Sequence, residues 1–99
     1  MIRTIIAAIL LASTTAAHAV DKDTLCLQYQ KLAELTKRQV DEGYPLDMHL
    51  ASIQKMGRFD LIWIVKEMHR SDMKEFTPSQ AGLIVWHACS NNNYPGADK

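Results

Sequence analysis

The chain has 99 residues, with eleven Lys and Arg against eleven Asp and Glu, so its formal net charge is zero. That balance leaves no basic stripe to hold a nucleic-acid backbone and no charged tail to seek an oppositely charged partner. A chain of this length makes one small domain, burying about 60% of its unfolded surface, and a domain that small is marginal without a covalent or metal staple.

Met1-Ile2-Arg3 supplies a positive charge, Ile5 to Ala12 form an apolar run, and Ala17-His18-Ala19 puts small residues where a signal peptidase needs them. This pattern predicts a secretory signal over residues 1–19, cut before Val20. A membrane-spanning helix would need about 20 apolar residues, and Thr14, Thr15 and His18 interrupt the run too early. Cys26 follows Asp23-Thr24-Leu25, which is not a lipoprotein site. The mature chain is therefore expected to be free of stable membrane insertion and periplasmic or secreted, with a helical domain over residues 20–90 and a flexible polar tail over residues 91–99. Without Arg3 it carries ten basic against eleven acidic residues.

The first helix is expected from about Asp23 to Glu42, with Asp21 or Asp23 at its start and Gly43 as its stop. Leu25, Cys26, Tyr29, Leu32, Ala33, Thr36 and Val40 share one face. Lys31, Glu34, Arg38 and Glu42 alternate in sign on the other, as a solvated ladder of ion pairs. After Gly43-Tyr44-Pro45, a second helix from Leu46 to Met56 carries Leu46, Leu50 and Ile53 on one side, and Gly57 ends it. A third helix, about Arg58 to Asp72, has a core face of Leu61, Ile62, Val65, Met68 and His69, while Ile64, Phe59 and Trp63 widen its apolar girth. A polar turn over Ser71 to Glu75 leads to the last helix, Phe76 to Asn91. There Thr77-Pro78-Ser79-Gln80 reads as a capping box with Pro at the first helical position. Ala81, Ile84, Val85, Ala88 and Cys89 form the expected core stripe, with Leu83 and Trp86 off it. No strand pattern or internal repeat is present. The fold class expected is all-α, a small bundle of four helices.

Cys26 and Cys89 are the only cysteines, so an exported chain has one possible pairing. A structural disulfide between them would tie the start of the first helix to the end of the last. The three histidines of the mature chain, His49, His69 and His87, fall on different helices, with no i, i+4 pair and no His-Glu-x-x-His arrangement. A zinc site would need tertiary assembly, and no metal or other cofactor is expected. Asp41 with Glu42, and Glu67 with Asp72, are the nearest paired carboxylates. They sit in charge-alternating segments where solvation is their expected role, and no nucleophile elbow or phosphate-cradling loop is present. The chain is not expected to be an enzyme. Phe59, Trp63, Leu83 and Trp86 are the surplus apolar side chains: they either meet a protein partner, where aromatic residues concentrate binding energy, or fill the bundle.

The succession of Cys26, Arg38, Gly43-Tyr44-Pro45-Leu46, Ile64-Val65, Thr77-Pro78 and Cys89 resembles the layout of small two-cysteine exported proteins of bacteria and their phages. The resemblance spans nearly the whole mature chain, through capping signals and cysteines. It implies a helical periplasmic domain with one disulfide and no catalytic residues. Asp21-Lys22-Asp23 with Leu25-Cys26 is similar to the mature start of spackle-type periplasmic lysozyme inhibitors of phages, which block a peptidoglycan-degrading enzyme during superinfection. Periplasmic acid-stress chaperones also carry two cysteines with a Thr-Pro before the second, like Thr77-Pro78. Their cysteine spacing is shorter than Cys26 to Cys89, and their chains are richer in lysine. The expectation is a module that binds a protein of the cell envelope, as an inhibitor of an enzyme or toxin, as an acid-activated chaperone, or in a structural role.

Overall fold

A computed structural model describes residues 21–97, and the expected signal segment, residues 1–19, lies outside them. The described residues form four α-helices and two 3-10 turns, with no strand among them. Helix α1 spans Lys22–Asp41 and α2 Leu46–Met56. A 3-10 turn over Phe59–Leu61 runs into α3, Ile62–Met68. A second one over Ser71–Glu75 precedes α4, Pro78–Ser90. The all-α bundle expected from the sequence is what the chain forms.

Helix α1 is the spine. It starts where Asp21 accepts the Thr24 N–H at 2.8 Å, which holds the Asp21 carboxyl below the usual carboxylate range. It stops at Gly43, whose positive φ of 95° lets the Tyr44 N–H return to the Gln39 carbonyl. Along its length it packs against α4 and α3, while α2 packs on α3 and the 3-10 turn before it. The core consists of Cys26, Tyr29, Leu32 and Ala33 from α1, Ile53 from α2, Leu61, and Ile64, Val65 and Met68 from α3. Met73 and, from α4, Ala81, Val85 and Cys89 complete it.

The α1–α4 seam is the tightest. Cys26 and Cys89 are joined by a disulfide across 63 residues of chain, with their Cα atoms 5.4 Å apart. Midway along, Gly82 lets the helices close up: a Cβ there would lie 2.6 Å from Glu34 Cγ and 3.1 Å from the Gln30 carbonyl oxygen. Thr77 and Gln80 make the reciprocal capping box, at 3.2 Å for Gln80 N to Thr77 Oγ1 and 2.9 Å for Thr77 N to Gln80 Oε1. At the far end Asn92 adopts φ 55°, and the N–H groups of Asn92 and Asn93 return to Cys89 and Ala88. That Schellman-type reversal turns the chain back towards α1.

Several expectations change. The third helix is shorter than Arg58 to Asp72, because Arg70 takes an extended backbone and the following 3-10 turn drives Met73 into the core. The turn is polar in sequence, yet its one apolar side chain sets its path. Ile84 lies 37% exposed, off the core stripe, and Gly82 is buried in its place. The ladder of Lys31, Glu34, Arg38 and Glu42 forms none of the ion pairs found among the described residues. The i, i+4 pair on α1 is Lys37 with Asp41, at 2.5 Å, and the Lys37 side chain is only 1% exposed. Arg70 is an ionic hub, bonded to both Glu67 and Asp72, which raise its already high pKa. The polar end, expected to fray, is held as far as it is described: Lys22 bonds Asn92, and Tyr94 packs against the core.

Candidate functional site

The four surplus apolar residues fall into two places. Phe59 stands 62% exposed in the first 3-10 turn, and Leu83 is 50% exposed on α4. Trp63 and Trp86 are half-buried, both packed against the core. The tryptophans share no ring contact. Trp63 stacks on Tyr94, with ring centres 5.4 Å apart and planes 21° from parallel, while Tyr29 meets both rings edge-on at 5.9 Å. Trp86 has the His87 ring beside it, at 5.2 Å.

The Trp63 cluster is a knot of aromatic packing with a polar rim. The Tyr29 hydroxyl donates to Asp60 Oδ2 at 2.9 Å, and Arg58 grips both Asp60 oxygens through Nε and Nη2, each at 2.9 Å. Burial raises the Asp60 carboxyl, but the hydrogen bonds from Arg58 and Tyr29, with the guanidinium charge, outweigh it and hold the group below the usual range. The Tyr29 phenol is pushed up, first by burial and then by the Asp60 charge. The Trp63 indole Nε1 is buried without a hydrogen-bond partner among the described residues, a destabilising arrangement for a donor removed from water.

Helix α4 offers a different surface. At about 100° per residue, Leu83 and His87 fall opposite the seam of Ala81, Val85 and Cys89, with Ile84 on one flank and Trp86 on the other. The inner face is already closed against α1, so Leu83 and Ile84 hold apolar area in solvent, with the half-buried Trp86 on the far side of Leu83. A helix that is apolar on two sides and covered on one has a surface left for something else.

A third constellation escaped the sequence reading. His49 of α2 is 7% exposed and spans two neighbours: its Nε2 lies 2.8 Å from Gln39 Oε1 of α1, and its Nδ1 lies 2.8 Å from Nε2 of His69, which caps α3. The Tyr44 ring lies against it, with centres 4.3 Å apart. Burial, then the neighbouring His69, pushes His49 down from 6.5 to about 4, and burial also lowers His69. The available signal was that each histidine extends an apolar stripe, His49 four residues before Ile53 and His69 four after Val65. That they meet depends on how α2 folds over α3. No group of three or more metal-ligating side chains occurs among the described residues.

Comparison with protein-family models, curated proteins and solved structures finds no match for this chain. The disulfide is compatible with an oxidising compartment, and no helix among the described residues is long and apolar enough to cross a membrane.

Proposed function

We propose that this chain is a small periplasmic or secreted protein-binding module that occupies one partner in the cell envelope and inhibits or neutralises it, as spackle-type inhibitors do with a lysozyme. The outer face of α4 carries the reading: Leu83 and Ile84 stand in solvent on a helix whose other side is closed by α1 and the disulfide. A rigid, covalently tied helix loses little freedom on docking, so apolar area presented on it converts efficiently into affinity. Trp86, half-buried at the edge of that face, is the aromatic anchor.

The test starts with capture from a periplasmic extract, followed by purification of the partner and measurement of its activity with and without this protein. Leu83→Lys and Ile84→Lys should abolish stoichiometric inhibition near neutral pH while shifting stability by no more than about 0.5 kcal/mol. Trp86→Ala should weaken association by about 2 kcal/mol or more. Unchanged binding in all three variants would remove α4 from the contact surface. The histidine pair favours a second reading, an acid-activated chaperone, which predicts protection of unrelated client proteins only as pH falls.

A further inference from the structure

Helix α2 is the least anchored of the four. It buries one apolar side chain, Ile53, and one histidine, and its N-terminus at Pro45 has no side-chain cap. Leu50 packs against the core half-buried, while Leu46, Met48 and Met56 are already exposed. Beside Ile53 and Leu50, the hydrogen-bonded chain Gln39–His49–His69 is what ties it to α1 and α3.

That chain offers a charged His49 no counter-charge. With the Gln39 amide oxygen on Nε2, this nitrogen carries the proton, and Nδ1 accepts from His69 Nε2–H. A second proton, on Nδ1, makes His69 shift its own proton to its far nitrogen and leaves a buried positive charge between two neutral side chains. No carboxylate is bonded to either ring among the described residues. Asp41 of α1 is held by Lys37, Asp47 of α2 accepts from the Met48 N–H, and Glu67 and Asp72 on either side of His69 are held by Arg70. The Tyr44 ring covers His49 without neutralising it.

We propose that Gln39–His49–His69 is an acid-released latch: a proton added to His49 breaks it, and α2 lifts from α3 while the disulfide-joined α1–α4 pair stays folded. Release would expose Ile53 and Leu50 beside Leu46, Met48 and Met56, enlarging the apolar area at that edge of the domain. The device goes beyond the partner-binding reading and does not rest on it.

The sign follows from linkage. The closed state disfavours the charged ring, so the latch is fully closed above the ordinary value of 6.5 and weakens as pH falls towards the closed-state value of about 4. Between about pH 7 and about pH 5, that difference raises the open fraction of α2 roughly twentyfold.

Amide hydrogen exchange on the intact oxidised protein, corrected for the intrinsic pH dependence of exchange, measures it. Protection over residues 46–56 should fall by that factor between the two pH values while protection over residues 81–89 holds. His49→Gln, neutral at every pH, should flatten the response. Should that variant fail to fold, Gln39→Glu, which gives the imidazolium a carboxylate partner, should shrink it. Three results would each overturn the latch: equal loss of protection in α2 and α4, no loss in α2, or a response that survives in the folded variant.

Discussion

The two halves of this domain are held by different physics. Along the α1–α4 seam, a disulfide, a glycine-mediated close approach and a reciprocal capping box act together, and none of them depends on a group that titrates near neutral pH. The α2–α3 half is built from an 11-residue and a 7-residue helix without side-chain caps, joined by 3-10 geometry; α3 is tied to α1 by core packing and the Tyr29–Asp60 bond, and α2 reaches α1 through His49 and Gln39. Short uncapped helices depend on their tertiary contacts. A domain assembled this way has a rigid edge that can present a fixed surface and a soft edge that can answer to solvent conditions.

Removing the covalent tie should do the most to erase that difference. Cys26→Ala with Cys89→Ala releases a loop closed across 63 residues, which in the chain-entropy model lowers stability by roughly 4 kcal/mol. Chemical denaturation of the oxidised and cysteine-free proteins measures it, and a loss under about 1 kcal/mol would mean that apolar packing alone holds the seam. Next in size is Gly82→Val. A branched side chain at this point must displace Glu34 and meets the Gln30 carbonyl, so a loss of about 1–3 kcal/mol is expected despite valine's better helix propensity. A stabilised variant would show that the helices separate easily. Smallest is Thr77→Ala, which removes the cap bond to Gln80 and should cost about 1 kcal/mol, read as a shift in denaturation midpoint at constant slope. The sharpest contrast comes from following all three at mildly acid pH. If the halves are as different as their contacts, each variant weakens α4 protection, while exchange in α2 continues to follow His49.

Much of the fold was legible in the residues. Leu46 to Met56 was readable as a helix because Pro45 and Gly57 bracket it, and the capping box at Thr77 because its partners lie three residues apart. The cysteine pairing needed only the count of two. The exposed positions of Phe59 and Leu83 also agree with their distance from the apolar stripes. The half-burial of Trp63 was not legible, because its stacking partner Tyr94 lies in a segment that reads as a polar tail, and only the reversal at Asn92 returns it to α1. Nor was the burial of Met73 or Lys37, since each departs from the character of its neighbours.

What the sequence determined by itself is whatever rests on neighbours within one helical turn: caps, stops, the inner face of α1, and the choice of helix over strand. Covalent pairing joined that set because only one pairing was possible. Tertiary structure alone decided which polar side chains meet. Gln39, His49 and His69 stand ten and twenty residues apart, and no period links them. Their contact depends on the angle at which α2 closes over α3, and that angle comes from packing Ile53, Leu61 and Val65 together rather than from any residue's own preference.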